Sequence, residues 1–346
     1  MSATGSFVPP AVPTADRPSA GPKPRIPRSR AGALLVPLLL PAALAISLAG
    51  CGEEPDDLEP AAHRQEIEAW RAERVAGLTA EQGWLSVIEL AWLEEGDNPV
   101  GSEPDAVVVL PADKAPTEVG TFTLAGGEVA FRAAPGGGGV EVVSGGEPGA
   151  AAPGRELALA TDAAGEPTVL GLDGLRFYVI DRAGRLGVRV KDPDSPARSG
   201  FVGLDYFPID RAWRVEARFE PHAEPKTIPV PNIIGTVYDE PSPGVVVFRL
   251  DGRTYRLDAI GEPSDGELFF VFGDATNGES TYGGGRFLYA PVPDAEGRMV
   301  LDFNRAYNPP CAFTAFATCP LPPRGNDLDV AVEAGELAYH GPGGHV

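Results

Sequence analysis

The chain is expected to fold as a mainly β protein, on three observations. Glycine and proline are both abundant, 43 and 37 of 346 residues, and they fall between short apolar runs. That is the pattern of many strands joined by tight turns. Residues 213–219 alternate apolar with charged side chains, the period of a strand with one wet face. Asp251-Gly252 stands between two strand-like runs, 245–250 and 253–259, which is a strong short-range hairpin signal. The architecture that follows is an N-terminal amphipathic helix, a small antiparallel sandwich-like unit, and a larger antiparallel β barrel or sandwich.

Charge excludes one function class. The net charge is −21, and a nucleic-acid binder needs lysine and arginine to replace the counterions of phosphate. The first fifty residues run against this balance, with Arg17, Lys23, Arg25, Arg28 and Arg30 against Asp16 alone. An apolar run over 31–50 follows them and ends in Leu48-Ala49-Gly50-Cys51. Basic residues before an apolar stretch are the order of a secretory signal, and the last four residues resemble the bacterial lipobox. Residues 1–50 are therefore read as a signal peptide. Cys51 is read as the lipidation site, making the protein exported and lipid-anchored to the cell membrane or the outer membrane. The lipid bilayer is then its expected partner. Pro37 and Pro41 within the run weigh against an uncleaved transmembrane span.

Residues 51–83 read as an acidic leader and a helix. Pro60 suits a first helical turn, and Ile67, Trp70, Arg74/Val75 and Leu78 recur at helical spacing. Thr79 with Gln82 resembles a capping box for one further turn, stopped at Gly83. Residues 84–150 read as the small β unit, with Trp84 and Trp92 as core anchors. Residues 151–340 read as the larger unit. Its hairpins include 175–180 with 186–190 across Asp181–Gly184, and it ends in an Asn-Pro-Pro-Cys block.

Chemistry concentrates near the C-terminus. Residues 302–326 hold two of the three cysteines, five prolines and three asparagines. The loop 273–286 is polar and glycine-rich, with Asp274 and Arg286 at its ends. Its glycines permit positive φ and close backbone approach, but it lacks the spacing of a phosphate loop. Asp274, Arg286, Asp302, Asn304, Tyr307, Asn308 and Glu336 form a polar set that could meet in one pocket. Export allows a disulfide between Cys311 and Cys319, and a buried reduced pair is the alternative. Two thiols without a histidine nearby in sequence make a poor metal site, and no metal or cofactor is expected.

Seven short blocks carry a family resemblance: Trp84-Leu85-Ser86, Asp274-Ala275-Thr276, Thr281-Tyr282-Gly283, Gly285-Arg286-Phe287, Asp302-Phe303-Asn304, Asn308-Pro309-Pro310-Cys311-Ala312-Phe313 and Thr318-Cys319-Pro320. Together they resemble the bacterial domain-of-unknown-function family 1684, over about 66–339. Two departures, Asn326-Asp327-Leu328 and Glu336-Leu337, remove basic residues that the family usually carries. The resemblance implies no established activity, but it locates a site. The expected function is recognition of a small polar ligand at the cell envelope by Arg286, Asn304, Tyr307, Asn308, Thr276 and Tyr282. One alternative is an envelope hydrolase using Asp302 with Asp274 or Glu336 as paired carboxylates. The other is a structural envelope protein without a ligand.

Overall fold

The computed structural model describes residues 58–264 and 266–345. The stretch read as a signal peptide and Cys51, read as the lipidation site, lie outside them. The described chain is mainly β, with one long helix at its N-terminal end and several sheets.

That helix, Pro60–Thr79, runs in one piece and turns His63, Ile67 and Leu78 inward. The capping box expected at Thr79 is not formed. The Thr79 hydroxyl donates instead to the Val75 carbonyl at 2.8 Å, because Thr79 is still inside the helix. A short 3₁₀ turn, Trp84–Ser86, then leads into the first strand, Val87–Trp92.

The first β unit is two sheets sharing one core. A six-stranded sheet has the order Val87–Trp92, Arg185–Lys191, Leu175–Arg182, Val169–Leu172, Glu141–Ser144, Gly149–Ala150. A five-stranded sheet has the order Val108–Val109, Gly96–Gly101, Gly120–Ala125, Glu128–Ala133, Glu156–Leu159. Alternate residues from both point into one apolar cluster, with Phe122, Phe131 and Phe177 fully buried at its centre. Ring centroids there are 5.1–6.4 Å apart in tilted and edge-on contacts, the arrangement that aromatic quadrupoles favour. The boundary expected at residue 150 falls inside this arrangement. The hairpin of 175–191, expected in the larger unit, pairs with Val87–Trp92 and contributes Phe177, Val179, Val188 and Val190 to the same core.

The second unit is built on a long ribbon. Arg214–Pro231 pairs with Val237–Leu250, flanked by Arg253–Asp258 and Arg298–Asp302. The Asp251-Gly252 hairpin forms as expected, with both residues at positive φ (47° and 78°), the backbone of a type I′ turn. A further sheet carries Ile260–Ser264, Glu267–Asp274 and Arg286–Pro291, and Asp327–Leu328 joins it in parallel beside Gly273 and Asp274. This last pairing brings the proline-rich C-terminal block against the glycine loop. The N-terminal helix closes the arrangement, with Trp70 6.2 Å from Tyr307.

Candidate functional site

The loop between Glu267–Asp274 and Arg286–Pro291 is fixed from within by one ion pair. Arg286 donates to Asp274 at 2.7 Å, and both side chains are fully buried. The guanidinium also donates to the carbonyls of Val332, at 2.8 Å, and Ala334. The other oxygen of Asp274 accepts from the Thr276 amide and hydroxyl and from the Val332 amide. Burial lowers the pKa of Arg286, and Asp274 opposes that shift. The pair thus ties the loop to residues 332–334, a connection of sequence-distant segments through charge-assisted hydrogen bonds.

Beside Asp274 lies a cleft of roughly 500 Å³. One wall is the loop, with Gly273, Asn277 and Gly283–Gly285; the other holds Leu321, Pro322, Asp327 and Asp329. Glycine is required where the walls meet. A Cβ on Gly285, at φ +83°, would stand 2.7 Å from both the Phe272 carbonyl and Pro322, and one on Gly273 would collide with the Asp327 carboxylate. The glycines therefore let the loop pack closely against residues 321–329, with two exposed carboxylates on one side.

The polar set read from the sequence does not gather in this cleft. Of its members Asp274 alone contributes to the wall, and the rest serve separate buried networks. Asp302 takes His63 at 2.7 Å and Arg214 at 3.5 Å, and also accepts from the side chain of Asn304. Asn304 in turn donates to the Asp210 carbonyl. Glu336 takes Arg74 at 2.8 Å and the Asn308 amide at 2.9 Å, and Asn308 donates onward to the Leu337 carbonyl. Tyr307 lies under the Arg74 guanidinium, 4.6 Å from it, and burial raises its pKa well above the ordinary value. Burial lowers the pKa of Arg74, but Glu336 more than offsets this and the net direction is up. Thr276 shares a hydrogen bond with Thr281. Tyr282 is buried, and burial followed by the neighbouring thiols pushes its pKa up to about 12.

Several functional positions escaped the sequence reading. His63 sits in the same inward stripe as Ile67, Trp70, Arg74 and Leu78, and only the assumption that such a stripe is apolar hid it; Arg74 was read in the stripe, but its pairing with Glu336 was not. Asn326 fastens the far wall, accepting from the Asp258 amide and donating to the carbonyls of Asp258 and Val271. Cys311 and Cys319 are free, buried thiols, so of the two states left open for them this structure holds the reduced pair.

Comparison with known proteins places the cleft within a shared region. The family profile described as Protein of unknown function (DUF1684) matches residues 199–337, a shorter stretch than the expected 66–339. The helix and the first β unit lie outside it. A solution NMR structure of an uncharacterized protein from Haloarcula marismortui is 36% identical, over 42% of this chain and 82% of its own, with a TM-score of 0.35. No curated protein matches.

Proposed function

The chain belongs to the DUF1684 family, and from that premise we propose that it is an exported, lipid-anchored protein that binds a small polar ligand in the cleft between residues 273–285 and 321–329. The observation that carries the reading is the cleft itself. It is large enough for a small molecule and lies between the glycine loop and residues 321–329, with the exposed Asp327 and Asp329 on one wall. Small-molecule sites commonly combine a concave shape with a few fixed polar groups. Asp327 and Asp329 on one wall, with a net charge of −21 over the whole chain, favour a ligand that is neutral or cationic.

Binding is favoured over hydrolysis by where the carboxylates point. Asp302, Asp274 and Glu336 are each turned onto a basic side chain inside the protein. A general acid or base must reach the proton it moves, and these three face other partners. The export and the tether rest on the apolar run 31–50 and on Cys51.

The ligand reading is tested by thermal unfolding in the presence of ethanolamine, choline, arginine, glucose and inorganic phosphate. A ligand that binds only the native state stabilises it by RT ln(1 + L/Kd) at free ligand concentration L, so Tm rises with ligand concentration. A rise with an amine or a sugar, lost in Asp327→Asn/Asp329→Asn, is expected; a rise with phosphate alone contradicts the charge argument. For the tether, Cys51→Ser should move the protein from membrane to soluble fractions, and unchanged fractionation would overturn it.

A further inference from the structure

Cys311 and Cys319 lie in the proline-rich block, with Phe313 and Phe316 in the chain between them. Their backbones and sulfurs are interlocked. The Cys311 amide donates to the Cys319 sulfur at 3.1 Å, and the Cys319 amide donates to the Cys311 sulfur at 3.3 Å. Each residue is 6% exposed.

A third residue, Arg189 of the first β unit, is a buried cation whose charge is the weakest of the influences on the two thiols. Arg189 is 3% exposed, and its guanidinium lies 5.0 Å from the centre of the Trp84 ring. Its Nε and Nη2 have no hydrogen-bond partner among the described residues. A buried cation is costly unless an opposite charge compensates it. No carboxylate pairs with this one among the described residues, whereas its charge acts on both thiols. A thiolate is the anion that this position can supply. The two sulfurs also differ. The hydrogen bond from Cys319 holds the Cys311 thiol below its ordinary pKa, while burial pushes the Cys319 thiol well above its own.

We propose that Cys311 and Cys319 form a redox-active dithiol that consumes a small hydroperoxide, with Cys311 as the attacking sulfur, Cys319 as the resolving sulfur and Arg189 as the positioning cation. The Cys311 thiolate attacks one oxygen of hydrogen peroxide. An S–O bond forms, the O–O bond breaks, and the departing hydroxide leaves as water after taking a proton. Cys311 is then a sulfenic acid, oxidised by two electrons. The Cys319 sulfur attacks it, the S–S bond forms, the S–O bond breaks, and the hydroxyl leaves as water with the Cys319 proton. Two thiols and one peroxide become one disulfide and two waters. Burial restricts the oxidant to a small molecule, since a protein disulfide cannot approach a sulfur that is almost wholly covered. The proposal does not depend on a ligand in the cleft.

The test uses the full chain, reduced and then exposed to one equivalent of hydrogen peroxide under native conditions. Peptide mapping of the wild type should show Cys311 linked to Cys319, with both sulfurs protected from alkylation after unfolding. Cys319→Ser oxidised in the folded state and then unfolded in dimedone should carry the adduct at Cys311, and the wild type treated in the same way should remain unlabelled. Arg189→Met, where it folds, should react about tenfold more slowly, since the thiolate fraction governs attack. Two alkylatable thiols remaining after peroxide treatment of the wild type, or no dimedone adduct in Cys319→Ser oxidised in the folded state, would overturn the proposal.

Discussion

The two β units bury different things. Between the sheets of 87–191 the core cluster is apolar, centred on Phe122, Phe131 and Phe177. The second unit also has an apolar core, but around it Arg286, Asp302, Asn304, Asn308, Asn326 and Glu336 are buried as well. Each is bonded to segments far away in sequence. An apolar core needs only volume and pattern, so many sequences satisfy it. A buried ion or amide needs one partner in one geometry, and its loss leaves a desolvated group behind. The second unit therefore spends charge to fix irregular segments: the glycine loop, the proline-rich block and the helix. Those are the segments that wall the cleft or brace it.

The comparison breaks most visibly at Arg286. Arg286→Met leaves Asp274 buried without its cation and should cost about 3–5 kcal/mol, read from the urea midpoint. Adding Asp274→Leu should return much of that loss, since an apolar pair of similar volume is often tolerated where a lone buried charge is not. In the first unit Phe177→Ala should cost about 3–5 kcal/mol as well. There a second truncation, Phe122→Ala, should deepen the loss and not relieve it, because both open cavities. Equal behaviour of the two double variants would erase the distinction between the units.

A smaller effect is expected at Asn326. Asn326→Ala removes three hydrogen bonds to main-chain groups and should cost about 1–3 kcal/mol by leaving those groups unpaired. The variant should also weaken any ligand that the wild type binds, since Asn326 adjoins Asp327 on the cleft wall.

Alkali sharpens the comparison further. Burial raises the pKa of Tyr206, Tyr282, Tyr289 and Tyr307, all in the second unit, above the ordinary value of 10.0. A tyrosine whose folded pKa is raised holds its proton more tightly in the folded state. Its stabilisation is complete below the unfolded value and is lost as pH rises through the folded one. For Tyr282 that window runs from 10.0 to about 12. Hydrogen exchange at rising pH, corrected for its intrinsic rate, should therefore show Phe269–Phe272 losing protection before Phe177–Val190. The reverse order would contradict the assignment.

The parts of the fold that were legible in the sequence are those with local causes. The Asp251-Gly252 turn could be read because positive φ restricts residue choice, and the helix because its stripe repeats every turn. Which strands join which could not be read: Val87–Trp92 finds Arg185–Lys191 across nearly a hundred intervening residues, and nothing local encodes that. At the site, the bracketing of the loop by Asp274 and Arg286 was visible. Their inward direction was not, because an arginine after a glycine run looks the same whether it meets a ligand or a carboxylate below. His63 was hidden by standing in a largely apolar stripe, and the partners of His63 and Arg74, Asp302 and Glu336, lie more than two hundred residues away. The far wall was underrated because Asp327 and Asp329 come to face the glycine loop only through the parallel pairing beside Gly273.

The most direct measurement of the central claim is a heteronuclear NMR titration of the isotopically labelled wild type with ethanolamine, choline, arginine and glucose. The account predicts saturable shifts, for at least one of them, at the backbone amides of 273–285 and 321–329, with those of the first β unit unmoved. Titrations that leave these two segments silent, or that move residues elsewhere in their place, would contradict it.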